Sequence, residues 1–196
     1  MGRHDLNKKY NNQWFGRRGR VLPYAPIFAE AIVNTYNPKS AIDCGCGIGQ
    51  VVDALLRRGI DVVGIEGSPA CYNHLVCPKD KVMIYDLRDD IMLDRQYDLC
   101  ISVEVSEHIE SEYVDNYVNN LTQLSDRLFT TICTEAAGWG HYTLMPREWW
   151  DEKFAERGYV VDTDSEQKAK PILTWIPGKA GVPLYADNLR CYKEMK

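Results

Sequence analysis

The feature that most restricts this chain is a glycine-rich turn, Asp43-Cys44-Gly45-Cys46-Gly47-Ile48-Gly49, set between an apolar run and a helical pattern. Glycines at alternate positions let the backbone bend sharply and come close to a ligand. The helix that follows points unpaired N–H groups into the same space. Strand, glycine turn and helix in that order form the first unit of an α/β sandwich.

The remaining pattern extends that unit. Pro26–Tyr36 has helical spacing, and Ser40–Cys44 reads as a buried strand. Val51–Arg58 reads as a helix closed by Gly59, and Asp61–Ile65 as a second strand ending at Glu66. Val82–Tyr85, Tyr97–Val103 and Arg127–Cys133 supply three further strands. Helices are expected over Ser111–Leu124 and Pro146–Arg157. Tyr159–Val161 and Leu189–Tyr192 are expected as two final strands, paired antiparallel. Alternating elements of this kind give a doubly wound α/β domain with a mostly parallel sheet covered on both faces. The stretch 164–187 carries three prolines and two glycines and reads as an irregular, packed loop, with closure over a substrate as one role for it.

The 196 residues suit a single domain, 1–196, with residues 1–25 as an N-terminal arm. There is no run of about 18 apolar residues and no apolar leader, so the expectation is a cytoplasmic protein with no membrane span. The seven cysteines are scattered and read as reduced thiols; Cys44 and Cys46 lack a second Cys/His pair at zinc-site spacing. The net charge is −5, yet the first 20 residues hold Arg3, Lys8, Lys9, Arg17, Arg18 and Arg20 against Asp5 alone. A basic arm on an acidic body can meet phosphate or an acidic substrate, or lie solvated.

Residues around the turn narrow the ligand. An acid precedes the glycines at Asp43, where a carboxylate can receive a cationic amine. The spacing is D-x-G-x-G-x-G, whereas a nicotinamide fingerprint reads G-x-G-x-x-G. Glu66 stands 17 residues after Gly49 and can accept hydrogen bonds from a ribose diol. Asp86 follows the third strand, placed for an adenine amine, with Leu87 beside it.

On these residues the chain resembles the class I S-adenosylmethionine-dependent methyltransferases over roughly Ala41–Tyr159. The resemblance implies a Rossmann-like, seven-stranded sheet with a reversed last strand. It implies that Asp43, Gly45, Gly47 and Gly49 hold the methionine end of S-adenosylmethionine, Glu66 the ribose, and Asp86 with Leu87 the adenine. The segment Glu104-Val-Ser-Glu107-His108 after the fourth strand resembles one found in small-molecule methyltransferases, with Glu104 bordering the cofactor. In quinone-biosynthetic O-methyltransferases and small-RNA 2′-O-methyltransferases both Glu and the His bind a divalent metal, and the RNA enzymes add a later His, here matched by His141.

Two chemistries stay open. Glu104, Glu107, His108 and His141 hold Mg²⁺ or a similar ion that lowers the pKa of an acceptor hydroxyl. Or His108, His141 and Glu107 act without metal, a histidine serving as general base. Trp139, Trp149, Trp150 and Trp175 could floor an acceptor pocket. An Asn-Pro-Pro-Tyr segment is absent after the fourth strand, which argues against adenine-amine chemistry. The reading is methyl transfer to a small molecule or sugar oxygen. An RNA methyltransferase and a non-catalytic binding protein are the alternatives.

Overall fold

The computed structural model describes residues 3–18, 24–134, 140–176 and 184–195. Seven strands make one sheet: β1 Ser40–Cys44, β2 Asp61–Glu66, β3 Val82–Ile84, β4 Leu99–Val103, β5 Arg127–Thr131, β6 Tyr159–Val161 and β7 Leu189–Glu194. Their spatial order is β3-β2-β1-β4-β5-β7-β6. All run parallel except β7, which pairs antiparallel with both β5 and β6. The expected seven-stranded sheet with its reversed last strand is therefore present.

Side chains alternate across the central strands and feed two cores. Ala41, Val62, Leu99, Ile101, Phe129 and Cys191 face one side, under α3 (Ala25–Tyr36) and α4 (Gln50–Leu56). Ile42, Ile65, Cys100, Leu128 and Tyr192 face the other, under α5 (Val114–Leu124) and α6 (Arg147–Ala155). Burial of both faces is why these strands are almost continuously apolar. On α5, Val114, Tyr117, Val118, Leu121 and Leu124 are buried at helical spacing. Before the sheet lie α1 (Leu6–Lys9) and α2 (Asn12–Arg18).

Two expectations need correction. The segment read as an irregular loop contains α7 (Thr163–Leu173) and α8 (Leu184–Asn188). Asp164 and Glu166 lie in the first turn of α7 and suit its positive end. Pro171 lies two residues before the C-terminal end, so the helix stops soon after the hydrogen bond it removes. Ala169 and Leu173 are buried in the core beneath α3, so the helical part is scaffold; residues 177–183 lie outside those described. The tryptophans do not form one pocket floor either. Trp150 is fully buried in the core, Trp149 packs edge-on against it at 5.0 Å, and Trp175 is 80% exposed. Trp139 lies outside the described residues, as do Arg20 and the side chain of Arg18.

All seven cysteines are free, and six are buried. Among the described residues no helix is long and apolar enough to cross a membrane.

Candidate active site

The glycine turn sits where β1 ends. Gly45 and Cys46 donate their N–H groups to the Ile65 carbonyl at 2.8 and 2.9 Å, fixing the turn against β2. Gly45 has φ +84°, and a Cβ there would lie 2.4 Å from Cγ2 of Val105. The turn is thus pressed against the segment that follows β4. Gly47 also has positive φ, +59°, but a Cβ there would meet nothing within 4 Å, leaving its backbone open to an approaching ligand.

Two carboxylates line this end of the sheet. Asp43 is only 3% exposed and burial pushes it up to about 7, with Glu66 adding a smaller repulsion. Burial likewise pushes Glu66 up to about 7, although it accepts N–H bonds from Gly47 and Ser68 at 3.0 Å each. Those bonds clip together the turns after β1 and β2. Two buried acids side by side make a place that a cation relieves.

Asp86 lies after β3, held by Arg88 at 2.8 Å and by Arg3 at 2.5 Å. Burial works to raise it, but the two guanidiniums outweigh that and keep it below the usual carboxylate range. Arg3 also reaches Asp89 at 2.6 Å, and Arg88 reaches Glu110 at 2.8 Å. Leu87 is buried in the second core, and its carbonyl accepts from Asn120 at 2.9 Å. That bond secures the loop from beneath.

Past β4 the chain turns through Glu104, a non-glycine residue at φ +55°. Its N–H donates to Thr131 Oγ1 at 2.9 Å, and its carboxylate accepts from Asn188 at 3.0 Å. Glu107 is 1% exposed, and burial, then the Glu104 charge, push it up to about 8. The His108 and His141 rings meet edge to face at 4.9 Å. His108 Nδ1 lies 2.8 Å from the Gly140 carbonyl. A carbonyl only accepts, so Nδ1 carries the proton and the neutral ring keeps its lone pair on Nε2.

The four expected ligands divide into two overlapping groups. Side-chain donor atoms of Glu107, His108 and His141 lie within 4.8 Å of one another, and so do those of Glu104, Glu107 and Cys133. Glu107 belongs to both, and Cys133 joins a set that the sequence pattern omitted. Imidazole, carboxylate and thiol donors suit a borderline divalent ion such as zinc or iron better than Mg²⁺, which prefers oxygen. A cation would also relieve the repulsion between Glu104 and Glu107.

Several residues at this site carried no signal in the sequence. Lys9 donates to the same Gly140 carbonyl at 2.9 Å. Leu6 lies over Gly67, where a Cβ would come 2.6 Å from its Cδ1. Ser68 Oγ donates to the Tyr10 carbonyl at 2.7 Å. The arm, read as a basic arm or cap that meets an acidic ligand or lies solvated, folds inward across Asp86, Gly67 and Ser68, with Arg3 and Lys9 both engaged. Only the local run of positive charge was visible beforehand.

Comparison with known proteins agrees with this fold. A methyltransferase-domain family model matches residues 18–165. A ubiquinone biosynthesis O-methyltransferase of Rickettsia bellii is 24% identical over 151 residues, covering 67% of this chain. The chain spans 63% of the length of that curated relative. The putative methyltransferase solved with the Haloferax volcanii Trm112 activator superposes with a TM-score of 0.69 at 16% identity, covering all of both chains. A TehB-like methyltransferase from Corynebacterium glutamicum gives 0.66 at 15%, covering 94% of this chain and 98% of the other. Magnesium protoporphyrin IX methyltransferase from Synechocystis, solved with S-adenosylhomocysteine, gives 0.60 at 17%, covering 100% and 90%. The matched family model, on a sheet of this order with this turn at the end of β1, makes the chain a member of the class I S-adenosylmethionine-dependent methyltransferases.

Proposed function

We propose that the chain methylates a hydroxyl oxygen of a small molecule or sugar. The observation that carries this reading is the junction of turn and histidines. Val105 packs on Gly45 of the glycine turn, while Glu107, His108 and His141 gather just beyond it. A methyl donor at the turn and an acceptor at the histidines would meet there. In this reading Asp43 receives the donor's ammonium, Glu66 the ribose hydroxyls and Asp86 the adenine amine. Glu66 already takes two amide N–H bonds and retains acceptor capacity for a diol.

The reaction is an in-line displacement at the sulfonium methyl. The sulfonium is a good leaving group, so alignment dominates and supplies about 7–11 kcal/mol. His108 Nε2 takes the hydroxyl proton as the carbon–oxygen bond forms, worth about 10²–10⁴ in rate. His108→Ala is expected to lower kcat about 100-fold while S-adenosylhomocysteine binds as before. Unchanged turnover would remove His108 from the chemistry.

The donor groups support a second reading, in which Glu107, His108 and His141, with Glu104 and Cys133 behind them, hold a divalent ion. Such an ion would acidify the acceptor hydroxyl. Full activity in a strong chelator removes this reading; activity that is lost and then restored by zinc or iron replaces the histidine base by metal. Binding of RNA that weakens steeply with salt would instead move the acceptor to a nucleic acid.

A further inference from the structure

His108 takes its bearing from the backbone of a distant segment. Its Nδ1 donates to the Gly140 carbonyl at 2.8 Å, and Lys9 Nζ donates to the same oxygen at 2.9 Å. A carbonyl oxygen has two lone pairs, so both donors fit without competing. One donor comes from the segment after β4, the other from the last residue of α1. Tyr10, which caps α1, also packs on the His108 ring at near right angles, 6.1 Å between centres. The N-terminal segment thus reaches this histidine twice, through a backbone oxygen and through an aromatic ring.

Lys9 is built into place. It is 7% exposed, with its ammonium 4.8 Å from the Tyr10 ring centre and 4.3 Å from that of Tyr142. Among the charged groups around it, Glu110 acts on it most and offsets part of the cost of burial. Gly140 has φ +77°, and a Cβ there would lie 2.2 Å from Cε and Nζ of Lys9. Any side chain at this position would therefore push the lysine away. Beyond Gly140 the chain is tied down. Tyr142 N–H donates to the Glu107 carbonyl at 2.7 Å, Thr143 Oγ1 donates to the Ile109 carbonyl at 2.7 Å, and the His4 ring stacks on Tyr142 at 4.5 Å. The Gly140 peptide lies before these anchors and belongs to the residue type with the most backbone freedom. Its oxygen keeps one direction only when something holds it.

That direction matters to the imidazole. In a neutral ring the nitrogen that meets an acceptor carries the proton, and the other keeps its lone pair. We propose that Lys9 is a positioning residue: by fixing the Gly140 carbonyl it holds His108 in the tautomer whose Nε2 lone pair is offered to the acceptor. Lys9 touches no reacting atom in this role. Its charge is not needed either, since an ammonium and an amine both donate. The role rests on the preceding reading, that His108 Nε2 works at the acceptor end, and deepens it by making the N-terminal segment part of the acceptor machinery.

The test uses the full chain with isotope-labelled histidine, S-adenosylhomocysteine bound, and a chelator present so that no ion holds Nε2. NMR correlations of the ring nitrogens at mildly alkaline pH distinguish a protonated nitrogen from a bare one. His108 is assigned by its loss in His108→Ala. It should appear as one tautomer, protonated at Nδ1. Lys9→Met should lower the ratio of this tautomer to the other about tenfold. Lys8→Met, exposed and one residue away, should leave the ratio unchanged. Gly140→Ala puts a methyl where the end of the lysine lies and should lower the ratio likewise. Adding Lys9→Met to it should change little more, because the bond is already lost. A folded Lys9→Met protein with an unaltered ratio would overturn the positioning role, as would an equal fall in Lys8→Met. Should Lys9→Met fail to fold, an unaltered ratio in Gly140→Ala overturns it instead. A protein that loses turnover in His108→Ala yet keeps its tautomer without Lys9 loses only the positioning role. One whose turnover survives His108→Ala loses the acceptor reading beneath it.

Discussion

Asp43 and Glu66 are buried close enough to repel, and each is pushed up to about 7 from ordinary values of 3.8 and 4.5. Between those limits the folded protein holds protons that the unfolded chain has released. The pair's contribution to stability therefore falls as pH rises from about 4 to about 7 and stays flat above. A sulfonium and ammonium ligand acts oppositely, since it needs both acids ionised. Calorimetry across this window should find S-adenosylmethionine binding strengthening towards pH 8 while thermal stability without ligand declines. Asp43→Asn should raise stability at pH 8 by about 1–3 kcal/mol and abolish cofactor binding. A variant that lost stability at pH 8 would contradict the strain assigned to this pair. Gly45→Ala adds a methyl into Val105 at φ +84° and should cost about 1–3 kcal/mol together with most cofactor affinity. Gly47→Ala has open space and should lose affinity with a smaller effect on stability.

Among the elements, α5 links sheet to site through a row of polar side chains centred on the buried Asn120. Asn120 Nδ2 donates to the carbonyls of Leu87 and Asp89 at 2.9 and 2.7 Å, and its Oδ1 accepts from Ile91 N–H at 3.0 Å. With Asn116, which donates to the Arg88 carbonyl at 3.0 Å, and Gln123, which donates to the Ile91 carbonyl at 2.9 Å, it sets the path of the loop carrying Asp86 and Arg88. Asn120→Ala should destabilise by about 1–3 kcal/mol through the orphaned backbone groups. It should also weaken cofactor binding, because the adenine-facing loop loses its anchor; denaturant unfolding and cofactor titration on one sample check both. The helices α3, α4, α5 and α6 were legible because their apolar stripes repeat at helical spacing. Helix α7 was hidden by Pro171 and a polar surface: it carries few buried side chains, and its packing on the core under α3 outweighs weak local preference.

For the molecule as a whole, the sheet order puts the ends of β1, β2 and β4 side by side, and the candidate site forms where those strands stop. The N-terminal segment closes it from outside. Arg3 reaches Asp86 across 83 residues of chain, and Lys9 reaches Gly140 across 131. The donor and acceptor ends are thereby tied by one strap, Arg3 to the adenine side and Lys9 to the histidine side. Arg3→Ala should loosen the strap with little loss of core stability, since exposed ion pairs contribute about 0–1 kcal/mol. Its effect should appear as faster amide exchange in residues 3–10 and as a weaker hold on S-adenosylmethionine.

Sequence alone determined the strand-and-helix alternation, the bend at Asp43–Gly49 and the acids at Glu66 and Asp86, because each follows from near neighbours: side-chain periodicity, glycine's freedom and the residue that ends a strand. It also flagged Glu104, Glu107, His108 and His141 as chemistry-bearing, but not that Cys133 lies near Glu104 and Glu107 while the histidines face each other. The inward turn of the basic arm, the seating of Lys9 on Gly140 and the elevated acids were decided only by tertiary structure. Those depend on desolvation and on contacts between distant segments, and a linear string of residues does not specify either until the sheet has brought the segments together.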